Sequence, residues 1–558
     1  MSDEPTAVRD HNRPADNEVI IRMYGQGVGD CFLLLFPRLD SAASNRPFSV
    51  VIDCGVVGGT PDGTQRMRDV VKDIKATTLD PQLVDAGQPK GHIDLLVITH
   101  EHWDHLSGFV QAEEIWKEIQ VDALWTAWTE RPGPDNLPGS LKRIIEKQRK
   151  TIAAAADQAF RMGALDQTSV LQSLLGFYGD GSFGEEGFAA AKGVSDAFVI
   201  AKKLAGHENT VFCEPGEVRP LPETGVAAYV LGPPRDDDFL VKLNPSKRNP
   251  ETFVDESGDA HLASLRGESL MLSAMEDARS PFNAFAIPLT NEALLSADAE
   301  GAKGADMLRE RSALDRSLPI EASLRVPLPA AESEAHDHPS LASYFDPVHQ
   351  WRRIDSAWLG SSAEFALRAD ALTNNTSLVL AFELPAKKPG APRNFLLFTG
   401  DAQVGNWLSW DEIKAWQPLE GATPSQRKPS MQDLLARTVF YKVGHHGSHN
   451  ATLKAKGVER MRTDARLTAF VPVSQAVAHE VKGWGRMPLK PMLNALAERA
   501  LGRVVLPNGQ IWPAEQPSTS SQAAIGLRFS DHELPSIKSD GQVLESGTKL
   551  WVEIAIPY

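Results

Sequence analysis

Short apolar runs separated by polar turns predict a chain built from β-strands with helices between them. Residues 19–24 and 31–36 flank a glycine-rich turn, as the two strands of a hairpin do, and residues 48–53 form a third run. Apolar positions between 65 and 75 recur at helical spacing, and residues 93–98 form a mostly apolar run of the kind buried on both faces of a sheet. This alternation of strands and helices predicts the α/β class.

Two long stretches interrupt this alternation and predict insertions into a core. Residues 138–205 are rich in Ala, Leu, Lys and Arg at helical spacing, and residues 235–371 are acidic and rich in Pro, Ser and Ala with weak periodicity. The predicted organisation is a mobile polar tail (1–17), the first part of the core (18–137), a helical insertion (138–205), core strands (206–234), a second, irregular insertion (235–371), the second part of the core (372–507) and a small C-terminal β extension (508–558).

The composition is that of a globular protein larger than one hydrophobic core. Of 558 residues, 42% are hydrophobic and 23% are charged, so two or more structural units are expected. No stretch reaches the ~20 apolar residues of a membrane span, and the first residues lack a signal-peptide pattern, so no membrane segment is expected. Three cysteines without Cys-x-x-Cys spacing are typical of reduced thiols in a cytoplasmic protein.

The acidic balance of the chain narrows the class of partner. A net charge of −16 leaves few cations to neutralise phosphates, which disfavours a long polynucleotide footprint. The clearest basic stretch, residues 141–150, is expected to form a solvated helix face, with a phosphate-binding groove as the alternative.

The segment Thr99–Gly108 carries the most specific chemical signal in the sequence. It places His100, His102, Asp104 and His105 close together, directly after a strand that we expect to be buried. Open α/β sheets place ligand sites at such strand ends, and imidazole nitrogen and carboxylate oxygen are the ligands of zinc and similar cations. Because the chain has only 15 histidines, three in so short a segment favour a metal site over a polar loop in which histidines fall together by chance.

The order His-x-His-x-Asp-His after an apolar strand resembles the signature of the metallo-β-lactamase-fold hydrolases. Further segments that resemble landmarks of this superfamily are Phe48–Gly55, Asn394–Asp401 and Tyr441–Ser448. Together with Gly25–Asp30 and Asn374–Leu380, the set is similar to the hydrolase domain of bacterial DNA-uptake (competence) channel proteins and their soluble relatives. The resemblance implies an αββα metallo-β-lactamase sandwich that carries the two insertions and the C-terminal extension.

The resemblance also implies two divalent metal ions, with zinc expected and manganese as the alternative. Two such cations share a water molecule and lower its pKa from 15.7 towards ~7, which makes a bridging hydroxide available at neutral pH. The implied ligands are His100 and His102 for the first ion, Asp104 and His105 for the second, Asp401 between the two ions, and His446 as the last ligand of the second ion.

Four residues in or near this set have a second candidate role or a competing interpretation. Asp104 counts as catalytic as well as ligating, because its ion takes part in activating the water. We favour His446 over His445 as the late ligand, since it directly precedes a glycine, and we expect His445 to contact a ligand or to give a proton to the leaving group. Asp53 is expected to orient a ligand histidine, with a structural carboxylate in the turn before Gly55 as the alternative.

One position departs from the family pattern. Most members supply another histidine to the first ion from the strand before the Asp401 strand, and Gly232 stands where that histidine is expected. The first ion is then left with His100, His102 and the shared Asp401, which still makes a reactive site because catalytic zinc keeps an open position.

Residues beyond the ligand set are candidates for contact with the substrate. Ser448 and His449 follow the late histidines, and Arg486 lies in a segment where similar proteins carry a residue near the cleft. The competing interpretations are ordinary loop polarity for the first two and a surface role for the arginine.

The sequence therefore predicts a metal-dependent hydrolase, first of all a phosphodiesterase or nuclease. A nucleic acid or a nucleotide is the expected substrate, and the acidic balance favours a short or small one. A hydrolase of esters, lactones or amides is the first alternative, because the fold does not fix the substrate. The second is a non-catalytic interaction protein with a degenerate site, in which the insertions bind a protein partner.

Overall fold

A computed structural model describes residues 12–39, 46–85, 88–133, 137–161, 168, 171, 172, 175–179, 193–242, 245, 246, 250–253, 371–414, 416–418, 429–482, 484, 487–512, 522–539 and 542–558. The chain divides into two compact units. The first comprises 1–132, 172–257 and 369–558, and the second comprises 133–171 and 258–368. Most of the predicted tail and of the second predicted insertion therefore lies outside the described residues.

The first unit contains an eight-stranded sheet in the order β19-β22-β1-β2-β3-β6-β8-β9. Strands β3, β6, β8 and β9 are parallel to one another, and the other pairs are antiparallel. The strands are β1 (Glu18–Tyr24), β2 (Cys31–Phe36), β3 (Phe48–Cys54), β6 (Leu95–Ile98), β8 (Leu124–Ala127), β9 (Thr210–Cys213), β19 (Arg528–Phe529) and β22 (Trp551–Pro557).

A nine-stranded sheet follows the order β14-β10-β11-β12-β13-β15-β16-β17-β18. Its strands β13, β15, β16 and β17 run parallel, as the central strands of the first sheet do. The strands are β10 (Glu217–Pro220), β11 (Ala227–Gly232), β12 (Val379–Glu383), β13 (Phe395–Phe398), β14 (Gln417–Pro418), β15 (Thr438–Lys442), β16 (Thr468–Phe470), β17 (Val504–Val505) and β18 (Ile511–Trp512).

Two small sheets complete the strands of the described residues. One has the order β4-β5-β7, with β4 at Leu79–Asp85, β5 at Gln88–Ile93 and β7 at Ile119–Val121. The other pairs β20 (Ile537–Ser539) with β21 (Gln542–Glu545).

The described helices of the first unit are α1 (Gly63–Thr77), α2 (Trp103–Gln111), α3 (Glu113–Trp116), α5 (Val194–Ala205), α6 (Asp237–Leu240), α7 (Val404–Ser409), α8 (Met431–Ala436), α9 (Lys490–Arg499) and α10 (Gln522–Ile525). The longer ones pack on the outer faces of the two large sheets, whereas Ile525 of α10 lies in the core between the sheets. Helices α1, α2 and α5 share a core with the first sheet, and α7, α8 and α9 share a core with the second.

The two large sheets share a third core between their facing sides. Phe32 of β2 meets Phe398 of β13 edge to face, with 5.6 Å between ring centroids, and Phe36 lies 6.1 Å from Phe382 of β12. Because side chains alternate between the faces of a strand, each sheet buries one set of apolar residues here and the other set under its helices. This double burial explains the nearly continuous apolar runs of the sequence, and the α/β class is confirmed.

The described part of the second unit is mainly one long helix, α4 (Leu137–Arg161). Leu141, Ile144, Ile152 and Ala156 are buried, whereas Arg143 and Lys150 are exposed, so the basic stretch lies on an amphipathic helix. Helix α5, at the other end of the predicted helical insertion, belongs to the first unit and packs against α2. No helix among the described residues combines the length and the apolarity that a membrane crossing requires.

Candidate metal centre

Two pairs of parallel strands, one pair in each large sheet, bring the candidate ligands together at their carboxyl ends. Strand β3 ends at Asp53 and Cys54, and β6 leads into Thr99 to His105. In the second sheet, β13 leads into Asp401 and β15 leads into His445 and His446. Since the chain must turn away at each of these ends, polar side chains can meet there without interrupting the strand ladders.

A buried cluster of four residues forms the centre of the site. It consists of Asp30, His105, Asp401 and His446, each of which offers a ligand atom within 4.8 Å of the others. His105 Nε2 lies 3.2 Å from Asp401 Oδ2, and His446 Nε2 lies 3.4 Å from the same oxygen. Asp104 Oδ2 lies 2.8 Å from His446 Nε2 and 3.9 Å from His105 Nε2. We call these five residues, with His100 and His102, the metal centre.

The outer nitrogen of each clustered histidine is held by an acceptor. His446 Nδ1 lies 3.0 Å from the carbonyl oxygen of Pro472, so it must carry a proton and donate. His105 Nδ1 lies 2.8 Å from Asp53 Oδ2 and donates to that carboxylate. In a neutral imidazole the inner Nε2 then carries a lone pair, as a metal-ligating histidine requires.

Several inner atoms of the cluster have no hydrogen bond. Among the described residues, His105 Nε2, Asp401 Oδ2, Asp104 Oδ1 and Asp30 Oδ1 are buried and have no hydrogen-bond partner. Buried polar atoms are nearly always bonded, so several such atoms close together need protons on the imidazoles or a cation between them. The donor set of imidazole nitrogen and carboxylate oxygen suits a borderline divalent ion, and the residues fit such a group.

Burial and charge shift the pKa values of the cluster in opposite directions. Burial opposes protonation of His105, but the carboxylates of Asp401 and Asp53 raise its pKa well above the ordinary value. Burial likewise opposes protonation of His446, and Asp401 and Asp104 raise its pKa. Burial alone would raise the pKa of Asp401, but the nearby His446 and His105 hold it well below its usual range. Without a metal ion, protonated imidazoles therefore balance the buried carboxylates.

Sequence reasoning missed two charged residues of the centre. Asp30, between β1 and β2, is buried and forms an ion pair with the ammonium of Lys442, the last residue of β15. Lys442 also donates to the carbonyl of Gly400 at 2.8 Å and lies 3.4 Å from Asp401 Oδ1. Burial raises the pKa of Asp30 above its ordinary value, with Lys442 opposing the shift. The Gly25–Asp30 motif marked this turn, but nothing in the local sequence showed where its carboxylate points.

A second group of ligand atoms lies beside the cluster. His100 Nε2 is 3.1 Å from His102 Nδ1 and 3.1 Å from the side-chain oxygen of Asn374, which precedes β12. Burial and the neighbouring His105 hold the pKa of His100 well below its ordinary value, and burial lowers the pKa of His102 to about 4. Both imidazoles are therefore neutral at pH 7 and can ligate without losing a proton.

Gly232 has no room for the histidine that the family pattern predicts. A Cβ atom built at Gly232 would lie 2.1 Å from the side-chain oxygen of Asn406. The Asn406 amide is fixed in place, since it donates to the carbonyls of Asn375 and Ser377 at 3.0 Å. Asn375 and Ser377 themselves hold α7 and the Asp401 turn, through the backbone N–H groups of Asn406 and Asp401.

Three residues of the site adopt left-handed backbone conformations. These are Asp53 (φ 55°), His445 (φ 42°) and His446 (φ 52°). For residues other than glycine this conformation costs about 1–2 kcal/mol each. The surrounding hydrogen bonds hold it: Asp53 accepts from Thr99 N at 2.8 Å and Thr99 Oγ1 at 2.7 Å, and the His445 N–H donates to Asp401 Oδ1 at 3.0 Å. Such strain is concentrated at functional sites.

The remaining candidate residues differ in how close they lie to the centre. His445 is buried, with Nε2 3.2 Å from Asn374 Nδ2 and Nδ1 2.7 Å from Ser448 Oγ. Ser448 thus contacts a candidate catalytic residue, whereas the side chain of His449 is exposed. Arg486 lies outside the described residues.

Aromatic rings lie next to His102, and one ammonium group lies beside the outermost of these rings. The ring centroids of Tyr178 and Phe177 are 5.3 and 5.7 Å from that of His102, and Phe177 stacks on Trp484 at 5.3 Å. Lys482 Nζ is 6.0 Å from the Trp484 ring centroid and donates to the carbonyl of Gly58. Burial lowers the pKa of Lys482 to about 8, with Asp104 opposing the shift. Sequence reasoning named Arg486 in this region but did not identify Lys482 or the aromatic residues.

Comparisons with known proteins add no name to this arrangement. No family model, no curated protein and no solved structure matches the chain.

Proposed function

We propose that the chain is a metal-dependent hydrolase with the αββα sandwich of the metallo-β-lactamase fold, and that it cleaves phosphodiester bonds. One observation carries the proposal. His105 and His446 have their outer nitrogens bonded to acceptors, and their inner nitrogens converge with the buried oxygens Asp30 Oδ1, Asp104 Oδ1 and Asp401 Oδ2, which have no hydrogen-bond partner among the described residues. Such a buried set of acceptors needs either protons on the imidazoles or a cation between them, and a divalent ion serves all of these atoms at once.

The balance of charge supports more than one divalent ion. Asp30, Asp53, Asp104 and Asp401 are all buried, and once His105 and His446 are neutral ligands, the Lys442 ammonium that pairs with Asp30 is too little positive charge to oppose four carboxylates. The second position would be held by Asp104, His105, Asp401 and His446, and the first by His100 and His102 with Asp401. When bound, two such cations activate water at neutral pH and neutralise charge on the reacting phosphate. Zinc is the first candidate and manganese the second.

The residues around the ligands have orienting and proton-holding roles. Asp53 and the Pro472 carbonyl fix the tautomers of His105 and His446. Ser448 Oγ donates to Asn450 Oδ1 at 2.9 Å, so it accepts from His445, which then carries its proton on Nδ1. Burial lowers the pKa of His445, with Asp401 opposing the shift, so the imidazole is neutral at pH 7. Because a neutral imidazole is first a proton acceptor, we assign to His445 a relay in which it takes up a proton and then gives that proton to the leaving oxygen.

A cation within the electrostatic influence of the centre favours an anionic substrate. The Lys482 ammonium lies 6.0 Å from the Trp484 ring centroid, and the Asp104 carboxylate raises its pKa against the effect of burial. A phosphodiester carries a negative charge that this ammonium can bind, whereas a neutral lactone or amide gains nothing from it. This feature favours phosphodiesters over the ester, lactone and amide substrates that the same fold can serve.

A substrate panel tests the proposal. The purified chain, loaded with Zn²⁺ or Mn²⁺, is offered single-stranded DNA, RNA, bis-p-nitrophenyl phosphate and a lactone. We expect phosphodiester turnover that His446→Ala and Asp104→Ala abolish and that His207→Ala, at an exposed position of the same unit, leaves unchanged. Turnover of the lactone alone would contradict the substrate class, and bound metal without turnover of any substrate would contradict the enzyme.

A further inference from the structure

Gly232 cannot supply the histidine that the family pattern places at the first metal position. Asn374, however, lies beside the two histidines that we assign to that position. Asn374 is fully buried and belongs to a short helical segment, of which residues 371–375 are described. Its Oδ1 lies 3.1 Å from His100 Nε2, which itself lies 3.1 Å from His102 Nδ1. Three potential ligand atoms from two distant parts of the sequence thus converge next to His105, whose ring centroid is 4.2 Å from that of His100.

The hydrogen bonds around Asn374 fix which way its amide points. Ser448 donates to Asn450, so His445 carries its proton on Nδ1 and presents a lone pair at Nε2. The Asn374 Nδ2 group, 3.2 Å away, donates to that lone pair. The amide oxygen of Asn374 is therefore on the side of His100.

The hydrogen bonds of Thr99 fix the tautomer of His100 in the same way. Thr99 Oγ1 donates to Asp53 Oδ2 at 2.7 Å, so it accepts from His100 Nδ1, 3.0 Å away. His100 Nε2 then carries a lone pair, and this lone pair faces the Asn374 oxygen. Two acceptors at hydrogen-bond distance repel each other unless a cation lies against both.

We infer that Asn374 Oδ1 is a ligand of the first metal position and replaces the histidine absent at Gly232. An amide oxygen is a harder donor than imidazole, so the replacement shifts this position towards ions such as Mn²⁺ relative to Zn²⁺. The same amide joins the first position to His445, because its Nδ2 holds the imidazole to which we assign proton delivery. This inference rests on the proposed metal-dependent hydrolase, but it concerns one position of the centre.

The test counts metal ions instead of measuring turnover. The full chain is titrated with Mn²⁺ alone, followed by the electron paramagnetic resonance signal of the free ion, and with Zn²⁺ against a chelator of known affinity. We expect two Mn²⁺ per wild-type chain and one in Asn374→Ala, with affinity at the first position weaker by at least about tenfold. Asn374→Asp keeps both ions, and Asn374→His restores both while shifting the first position towards Zn²⁺.

A neighbouring variant controls for damage to the segment. Asn375→Ala removes an amide that donates to the carbonyls of Phe239 and Leu240 at 2.9 and 2.7 Å, away from His100. We expect this variant to unfold at a lower temperature and still to bind two ions. Equal metal loss in Asn374→Ala and Asn375→Ala would overturn ligation by Asn374.

The outcomes separate this inference from the proposed function. A wild-type chain that takes up neither Mn²⁺ nor Zn²⁺ overturns the proposed function and the inference with it. A wild-type chain with two ions, of which Asn374→Ala keeps both at unchanged affinity, overturns the inference alone. A wild-type chain that binds a single ion also contradicts the inference, because the first position is then not a metal site.

Discussion

Two clusters of histidine and aspartate lie within the first unit, and their difference shows what distinguishes a metal site. The second cluster contains His92, Asp94 and Asp122, whose ligand atoms are as close together as those of the metal centre. In it, however, Arg46 donates to both oxygens of Asp94 at 2.6 and 2.7 Å. We call this group, with Asp80, the Arg46 cluster.

The Arg46 cluster is internally satisfied, whereas the metal centre is not. The two nitrogens of His92 lie 3.0 Å from Asp80 and 2.8 Å from Asp122, which are hydrogen-bond distances to carboxylates. Burial opposes protonation of His92, but the hydrogen bonds to Asp122 and Asp80 raise its pKa. Proximity of ligand-type residues is therefore a weak criterion. The presence or absence of a built-in cation and of satisfied hydrogen bonds is the stronger one.

The largest difference between the clusters is expected on removing one carboxylate from each. Asp401→Ala should lose bound metal and lower kcat/KM for a phosphodiester by at least about a thousandfold, because we assign this carboxylate to both proposed metal positions. Asp122→Ala, in the Arg46 cluster, should change neither. Metal content by mass spectrometry and steady-state kinetics on the two variants check this. Retained metal in Asp401→Ala would contradict the assignment.

Metal affinity at the centre should depend steeply on pH. The raised pKa values of His105 and His446 favour protonation of both imidazoles in the metal-free protein, and an ion must displace the protons that they carry. Affinity therefore rises as pH increases towards the raised pKa values and levels off above them. For two displaced protons the rise is up to about a hundredfold per pH unit. Calorimetry in buffers of different ionisation enthalpy measures the proton release, and none at pH 7 would contradict these protonation states.

Removing the guanidinium should make the Arg46 cluster resemble the metal centre. Arg46→Ala leaves the buried Asp94 carboxylate with fewer donors and should lower the free energy of unfolding by about 1–3 kcal/mol. Millimolar Zn²⁺ should recover part of this loss, since the freed oxygens can then take a cation. Urea unfolding with and without Zn²⁺ measures both effects, and Arg46→Lys is the charge-preserving control. A loss of stability that Zn²⁺ leaves unchanged would argue against a missing cation as its cause.

The smallest expected effect concerns the substrate side of the metal centre. Lys482→Gln should raise KM for bis-p-nitrophenyl phosphate by about tenfold with little change in kcat, because the ammonium binds the anion before and during reaction. In the wild type, KM should rise as pH passes through about 8, where Lys482 loses its proton. Lys482→Arg should keep KM flat there, since arginine stays charged. A neutral lactone serves as the control substrate.

Much of the scaffold could be predicted from the sequence because its signals are local. The apolar runs at β1, β2, β3 and β6 predict strands from the local sequence alone. The histidine segment after β6 predicts a metal site in the same way. Residues of the centre separated by hundreds of positions could be grouped only through a family resemblance, since no local rule brings Asp401 to His105.

The residues that sequence reasoning missed have roles that depend on contacts with residues far away in the sequence. Asn374 and Asn375 are adjacent and chemically identical, yet one faces His100 and the other holds two carbonyls of the chain near α6. Lys442 belongs to a buried strand of the second sheet. Its ammonium pairs with Asp30, which lies between two strands of the first sheet, and no local pattern predicts that contact. Gly232 could be recognised as a departure, but only packing against Asn406 shows that the space is filled.

The pairing of β22 with β1 has a consequence for how the protein is made. The ribosome makes β1 more than 500 residues before β22, and the outer edge of β1 is complete only when β22 pairs with it along its whole length and Glu553 reaches Arg22. Until then the nascent chain exposes an unpaired edge of apolar residues, which is a template for aggregation. Fragments that stop before β22 should therefore depend on chaperones.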